Sequence, residues 1–335
     1  MSRTPADAEP DGPAEAPDLG ESALATAGVP VPAQPDPARE QLRGGVYALT
    51  AYVLWGLLPL YFLLLAPAGP AEIVAWRILL SLVFCALLLT VTRTWRRLTR
   101  VMRRPRLMAL TALAGGLIFV NWMVYVGAAL SDHVIEASLG YFINPIVTVL
   151  LGVLVLRERL RVTQWVAIGI SLVAVGVIVV AYGSVPWIAL VLAGSFGVYG
   201  LVKKRIGPAV DAVSGLTLES MWLSPVAIGI LVFVAATGGI AFGSAGVGHA
   251  VLLSLAGVVT AVPLLFFAAG ARRAPLTVIG LLQFVAPILQ FAIGVWVLDE
   301  PMPVERWIGF GLVWLALIVL TVDSLRHARR TARVG

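Results

Sequence analysis

Charged side chains are rare within the long apolar stretches of this chain, and three of them are candidates for chemistry. Arg77 lies about six residues into one stretch, roughly 9 Å along a helix from its start. Glu219 lies about eight residues into another, roughly 12 Å from its start, and Glu136 opens a third. A charge at bilayer depth costs at least about 2.5 kcal/mol to insert, so each of these residues needs a compensating role.

Each charge has a functional and a structural interpretation. Arg77 suits a substrate anion, but it also suits a structural ion pair or a side chain that reaches outward to the interface. Glu136 and Glu219 are candidates for proton uptake during transport, whereas Glu136 also suits a helix start, where the dipole favours an acid. Arg77 and Glu219 differ by 142 positions, which predicts an opposed-charge pair if the chain is duplicated with that shift.

Amide and aromatic residues in the same stretches are candidates for lining a pocket for an organic solute. They are Asn121, Trp122, Tyr125, Tyr141, Asn144, Tyr199, Trp222 and Gln283. Amides also join membrane helices to one another, and Trp and Tyr also mark membrane interfaces, so no residue in this set is decisive alone. Tyr141 and Gln283 each precede a proline by one helical turn, and that proline frees a backbone carbonyl there.

Enzymatic and metal chemistry have little support in the sequence. The chain has a single cysteine, Cys85, and three histidines that are far apart, so neither an intramolecular disulfide nor a cysteine-based metal site is expected. It has no HExxH, no GxSxG nucleophile elbow and no P-loop. We therefore expect no enzyme activity, no cofactor and no metal.

Composition indicates lipid as the solvent for these residues. Hydrophobic residues make up 59% of the 335 positions, charged residues 13%, and the mean hydropathy is +0.94. A soluble domain carries about 25% charged residues. The net charge of +6 does not indicate nucleic acid, because residues 1–43 are acidic and the bases elsewhere lie in short clusters between apolar runs.

The apolar runs predict an all-α integral membrane protein with ten transmembrane helices. Each run is about 20 residues long, enough to cross a bilayer, and none alternates like the strands of a barrel. The predicted spans are 44–66, 71–92, 107–130, 134–156, 162–182, 185–203, 212–235, 248–270, 275–298 and 304–324.

Basic residues predict the orientation of these spans. With the N-terminus in the cytoplasm, 22 of the 24 Lys and Arg residues fall in the N-terminal tail, in cytoplasmic loops or in the C-terminal tail. The two exceptions are Arg77, within a span, and Arg306, outside. This asymmetry predicts an even number of spans with both termini in the cytoplasm.

An internal duplication relates the two halves of the chain. A shift of 142 positions aligns residues 139–178 with 281–320, and it pairs Pro145 with Pro287, Gly152 with Gly294, Glu158 with Glu300, and Trp165 with Trp307. Because the shift spans five helices, an odd number, the two copies must face opposite ways across the membrane. Inverted repeats of this kind are a recurrent architecture of secondary transporters, with the substrate site near the midplane between the halves.

Several segments resemble one known family. The strings EASLGYFINP at 136–145, YVLWGLLPLYF at 52–62, ERLRVTQW at 158–165 and GSFGVYGLVKK at 194–204 are similar to the EamA family of the drug/metabolite transporter superfamily, and within it to the RarD branch. The resemblance covers about residues 44–326. It implies two five-helix repeats and a permease-like protein of the inner membrane, and it supplies no substrate.

The resulting expectation has four segments: a disordered tail over 1–43, a first five-helix repeat over 44–182, a second over 185–326 and a basic cytoplasmic tail over 327–335. We expect a secondary transporter of a small organic solute, embedded in the plasma membrane, with no nucleic-acid partner. Proton coupling and a homodimer are left open by the sequence. The alternatives are a channel, a lipid scramblase or, with less support, a membrane-embedded enzyme.

Overall fold

The computed structural model describes residues 37–157, 162–182 and 185–334, and every regular element in these ranges is helical. Short loops join the helices, so that neighbouring spans run antiparallel. The helices are α1 (Pro37–Gly56), α2 (Leu58–Leu63), α3 (Pro70–Val91), α4 (Trp95–Met102), α5 (Pro105–Ala129), α6 (Val134–Leu156), α7 (Val162–Tyr182), α8 (Trp187–Ile206), α9 (Ala212–Thr237), α10 (Val247–Ser254), α11 (Ala256–Ala271), α12 (Leu276–Leu282), α13 (Val285–Trp296) and α14 (Val304–Val334).

Nine helical stretches in the described ranges are long and apolar enough to cross a membrane. This confirms an all-helical multi-pass membrane protein. The remaining predicted span, 162–182, corresponds to α7, whose described apolar segment Val162–Val177 is shorter than a full span. Residues 158–161 lie outside the described ranges, and with them Glu158, the predicted repeat partner of Glu300.

The ends of the chain differ in detail from the predicted segments. Helix α1 begins at Pro37, so residues 37–43 of the predicted tail are helical, whereas residues 1–36 lie outside the described ranges. Glu40 accounts for the extension, because it pairs with Arg43 at 3.2 Å and with Arg273 at 3.3 Å. At the other end, α14 continues to Val334 through most of the predicted basic tail.

Three of the spans are broken into two helices, and proline explains the first break. Helix α1 gives way to α2 at Leu57, and Pro59 has no N–H to donate to the carbonyl of Trp55 one turn earlier. The side-chain amide of Gln290 in α13 donates to that carbonyl instead, at 3.2 Å. The carbonyl that Pro59 leaves without a helical donor is therefore satisfied by a side chain of the other half. A break that is buried in a membrane requires such a partner.

The second break lies between α10 and α11 at Leu255, and it faces the first. The hydroxyl of Tyr61 in α2 donates to the carbonyl of Leu252 in α10 at 2.9 Å. The third break separates α12 from α13 at Gln283, whose carbonyl lacks its partner because Pro287 follows one turn later. The equivalent proline in the first half, Pro145, lies within α6 without breaking it.

The centre of the bundle is closely packed. Helices α3 and α9 pack against each other, with α5 and α11 beside them. A side-chain carbon added at Gly257 of α11 would lie 2.4 Å from the backbone carbonyl of Leu80 in α3, so only glycine permits that approach. This close contact holds the central polar residues of α3 against the second half.

Candidate functional site

Arg77, the eighth residue of α3, is buried, with 5% of its surface exposed. Its Nε donates to Thr260 Oγ1 of α11 at 2.7 Å. The Trp122 ring of α5 lies 4.2 Å from the guanidinium carbon, and the Phe62 ring of α2 lies 5.6 Å away. Helices from both halves therefore hold this cation, which uses aromatic faces and one hydroxyl as partners.

Asn121 lies one residue before Trp122 on α5 and joins three helices. Its Nδ2 donates to Ser195 Oγ at 3.1 Å and to the carbonyl of Leu192 at 3.3 Å, both in α8. Its Oδ1 accepts a hydrogen bond from the Tyr141 hydroxyl of α6 at 3.2 Å. Because both ends of this buried amide have partners, it fixes the orientation of Tyr141.

Tyr125 connects Phe62, which lies beside Arg77, with Tyr141, the partner of Asn121. Its ring packs edge-on against Phe62 at 6.0 Å and against Tyr141 at 5.6 Å. Its hydroxyl is fully buried and has no hydrogen-bond partner in the described structure. We call Arg77, Asn121, Trp122, Tyr125 and Tyr141 the central cluster; all five were predicted as site residues, and the structure brings them together.

Glu219 belongs to a second group, on the cytoplasmic side predicted for the loop that follows α8. It is 2% exposed, pairs with Lys203 Nζ at 2.8 Å and accepts from the Tyr199 hydroxyl at 3.2 Å. The expected pair between Arg77 and Glu219 is wrong, because each has other partners. Positions related by a duplication occupy equivalent places in opposite halves. Their side chains meet only if both lie close to the axis that relates the two halves.

The two groups are linked by one aromatic side chain that was not predicted. The Phe196 ring of α8 lies 5.8 Å from Tyr199 in a stacked arrangement and 6.0 Å from Tyr141, edge-on. A continuous line of rings thus runs from the central cluster to Glu219. Lys203 was also missed, because it lies in a basic cluster that membrane topology alone explains.

Glu136 lies at the start of α6, where its Oε1 accepts a hydrogen bond from the backbone N–H of Ile188 at 2.9 Å. It therefore caps the start of α8, a helix of the other half, instead of serving its own helix. A cavity of about 320 Å³ lies beside this contact. It is lined by Met123, Val124, Gly127, Ala128, Ser131, Trp187 and Ile188, and it includes none of the predicted site residues.

Two more buried carboxylates make contacts of the same kind at this end. Glu300 accepts from the backbone N–H groups of Val134 and Ile135 at 2.6 and 2.9 Å, and Glu72 accepts from those of Ala241 and Phe242 at 3.1 and 2.9 Å. We call these contacts, together with the one made by Glu136, the carboxylate latches. Each joins one half of the chain to the other.

Glu300 is the member of this set that lies outside the spans. Burial raises the pKa of its carboxyl above the ordinary value. Its two backbone donors and the charges of Arg306 and His133 act in the opposite direction and compensate only in part. The latch at Glu300 is thus sensitive to protonation.

Three predicted residues lie apart from both groups. Asn144 of α6 has a buried Oδ1 without a partner, close to Gly197 of α8. Trp222 is 44% exposed on α9, so its side chain faces away from the centre. Gln283 lies at the break between α12 and α13 and is partly buried. Gln290, a polar residue deep in an apolar run, carried the same sequence signal and was overlooked.

Known proteins similar to this chain are transporters by name or family. A model of the EamA-like transporter family matches residues 42–180. Protein RarD of Streptomyces exfoliatus is 49% identical over 292 residues, which cover 87% of this chain and 92% of that protein. Protein RarD of Escherichia coli K12 is 38% identical over 296 residues, with 88% and 99% covered.

Two further comparisons extend this result. An uncharacterized transporter of Bacillus subtilis, YojE, is 41% identical over 297 residues, which cover 87% of this chain and 97% of that protein. A solved crystal structure shares the fold with a TM-score of 0.55 and 18% identity, covering 84% of this chain and 98% of the other. The matches to the two RarD proteins and to YojE extend over both halves of the chain, whereas the family model matches the first half.

Proposed function

This chain belongs to the EamA-like transporter family, among its RarD relatives, and we propose that it carries a small organic solute across the plasma membrane by alternating access. The observation that carries the proposal is the central cluster. Polar and aromatic side chains that are costly to bury in a membrane gather there between helices of both halves. A midplane site between two halves is where secondary transporters bind their substrates.

The proposed architecture is two inverted repeats of five spans, with α7 as the tenth span. The packing of the helices supports it. In the proposed repeats, α3 corresponds to α9, α5 to α11, α6 to α13 and α7 to α14. The contacts α3–α9, α6–α13 and α7–α14 therefore each join a helix to its own counterpart. The α5–α9 contact maps onto the α11–α3 contact, and both are present. Such a pattern is expected of a pseudo-two-fold axis.

Cysteine accessibility tests this topology. Two single-cysteine variants are made with Cys85 replaced by serine. R157C places a cysteine at the end predicted to be cytoplasmic, and R306C places one at the end predicted to be outside. The 142-residue shift pairs position 157 with position 299, which is close to 306. In intact cells we expect an impermeant maleimide to label R306C alone, and labelling of R157C to require permeabilised membranes. Labelling of both positions from the same side would remove the inverted arrangement and the cytoplasmic termini with it.

Proton coupling is part of the proposal, with Glu219 and Glu136 as the carboxylates that take up the proton. Support comes from their position, since Glu219 is buried beside Lys203 and Glu136 holds the start of α8. If solute flux responds to an imposed pH gradient in the wild-type protein, we expect E219Q or E136Q to abolish the response. Flux that keeps the same pH response in both variants would contradict proton coupling while leaving transport intact.

Counterflow in proteoliposomes tests the transport function itself. Metabolite profiling of a deletion strain and an overexpressing strain supplies the solute, which is then loaded inside vesicles that hold the purified protein. A carrier gives saturable uptake of labelled solute that is accelerated by unlabelled solute on the opposite side. Unsaturable flux, or currents larger than carriers can pass, would indicate a channel, lipid exchange between leaflets a scramblase, and product formation without transport an enzyme.

A further inference from the structure

The buried guanidinium of Arg77 has no carboxylate partner in the described structure. Its Nε is used by Thr260, and its Nη1 is fully buried without any hydrogen-bond partner. An unpaired buried charge is strongly unfavourable, more so within a membrane span, unless an anion or ordered water completes its contacts. Arg77 is therefore a buried cation with donor capacity that its protein neighbours do not use.

The surrounding rings restrict the direction from which that ligand can approach. Trp122 covers the guanidinium at 4.2 Å and Phe62 lies 5.6 Å from it, while Thr260 occupies the Nε side. On the edge formed by the two terminal nitrogens, Nη1 has no hydrogen-bond partner in the described structure. This edge presents parallel N–H groups, a geometry that a carboxylate matches with two hydrogen bonds.

One further unpartnered group lies near the same guanidinium, and another lies on the same helix. The Tyr125 hydroxyl is buried without a partner and is an electrostatic neighbour of Arg77. Ser81, one helical turn after Arg77 on α3, has a buried hydroxyl that also lacks a partner. Hydroxyls donate readily to a carboxylate, so a single anion would satisfy a charge and at least one orphan donor together.

The same neighbourhood offers no carboxylate for a positively charged amine. Glu219 is paired with Lys203 and Tyr199, Glu72 and Glu300 each accept from two backbone N–H groups, and Glu136 accepts from one. A zwitterion would bring its ammonium group into an apolar region without a counter-charge, at a high cost. A ligand that carries only the negative charge fits the central cluster better than an amino acid does.

We infer that the central cluster binds a small organic carboxylate that has an apolar, planar body and no ammonium group, with its carboxylate on Arg77 and its body among Phe62, Trp122 and Tyr125. That this ligand is also the transported solute rests on the proposed function. The binding itself does not depend on transport.

A matched series of ligands tests the inference on the purified full-length protein in nanodiscs of zwitterionic lipid. The probes are 3-phenylpropionate, its neutral amide, phenylalanine as the zwitterion, and chloride, compared at constant ionic strength by the shift in thermal unfolding. We expect 3-phenylpropionate alone to stabilise the wild-type protein. Equal stabilisation by the amide or by phenylalanine, stabilisation by chloride alone, or none by any probe would overturn the inference.

Variants assign the effect to Arg77. R77Q is expected to weaken the affinity for 3-phenylpropionate about 10- to 100-fold, as the loss of a charge-assisted hydrogen-bonded pair implies. R77K keeps the charge but loses the two parallel donors, so it should fall between R77Q and the wild type. The control R100Q removes an exposed arginine of α4 and should bind as the wild type does.

The unliganded variants show whether Arg77 is instead a structural residue. Removing a buried charge that lacks a partner should leave the thermal stability of R77Q close to that of the wild type. A large loss of stability in unliganded R77Q and R77K together, with unchanged ligand shifts in R77K, would identify a structural role and overturn the inference.

Counterflow with labelled 3-phenylpropionate separates this inference from the proposed function. Binding without any carrier-type flux would support the carboxylate site and contradict transport of this ligand class. Carrier-type flux of a different solute, without binding of 3-phenylpropionate, would support the transporter and overturn the carboxylate site.

Discussion

At the scale of single residues, the sequence identified the central cluster because polar side chains stand out in apolar runs. Arg77, Asn121 and Tyr141 were visible in this way, since each interrupts a stretch that lipid or protein must cover. Their partners Thr260 and Ser195 were not, because a hydroxyl in a membrane helix usually bonds to its own backbone. Which helices meet is a property of tertiary packing, and spacing along the chain does not encode it.

Glu300 gives a prediction for pH dependence. Because burial raises its pKa, the native protein holds this proton more tightly than the unfolded chain does. The resulting stabilisation is fully present below the ordinary carboxyl pKa, and it is lost as pH rises through the raised value. The unfolding temperature of the wild type minus that of E300Q should therefore decrease as the pH rises through this window.

Thermal unfolding in detergent at a series of pH values measures this difference. His133 and Arg306 interact electrostatically with Glu300, so the comparison is repeated in an H133N background. Exposed Glu305 supplies the control E305Q, for which no such trend is expected. A difference that is constant with pH, or that grows as the pH rises, would contradict the raised pKa.

Lys203 gives a second prediction at this scale, since its removal leaves Glu219 buried without a counter-charge. K203A should lower the free energy of unfolding by roughly 2 kcal/mol, less than for a fully buried pair because the Lys203 side chain is 31% exposed. The double variant K203A/E219Q should recover most of that loss. Urea unfolding in mixed micelles measures the loss in the free energy of unfolding, and R205A at an exposed arginine is the control. Equal stability of K203A and the wild type would show that water can replace Lys203 as the partner of Glu219.

At the scale of elements, the apolar runs predicted the spans closely, but they did not predict where the spans would break. Pro59, Pro145 and Pro287 were all visible, yet Pro145 is accommodated within α6 while a break accompanies each of the others. The difference lies in the neighbours. At the first break, a side chain of another helix satisfies the freed carbonyl, as Gln290 does for Trp55.

Gln290 therefore provides an element-scale prediction. Q290L removes the donor that satisfies the Trp55 carbonyl at the break between α1 and α2, and we expect a loss of about 1–2 kcal/mol in the free energy of unfolding. Gln283 is a matched control, because it lies at another break and makes no side-chain hydrogen bond to described residues. Thermal unfolding should separate Q290L from Q283L; equal effects of the two variants would show that the Trp55 carbonyl has another partner.

At the scale of the whole molecule, the duplication predicted that two halves would face each other, and the symmetric packing of the helices supports it. The sequence did not indicate that buried carboxylates would join the halves at the end predicted to face outward. Glu72 and Glu300 were present as acids near helix ends, but their partners are backbone N–H groups, which every residue carries. No pattern of side chains could identify them.

The carboxylate latches make the opening of this end testable. Glu72, Glu136 and Glu300 each hold backbone N–H groups of the opposite half, and by chain connectivity all three contacts lie at the end predicted to face outward. For the outer end to open, these bonds must break. Weakening them should therefore shift the population toward an outward-open state.

The double variant E72Q/E300Q replaces each carboxylate with an amide that has one acceptor oxygen instead of two. We expect the closed state to lose about 1.5 kcal/mol per latch, which is roughly tenfold in population for each.

In a C85S background, spin labels on S131C and S244C report the distance across the outer end, because both positions are exposed and belong to different halves. The long-distance fraction should grow in E72Q/E300Q, while labels on R97C and R205C, at the end predicted to be cytoplasmic, should move closer together. Unchanged distances at both ends would mean that the latches stabilise the fold in every state and that opening follows another path.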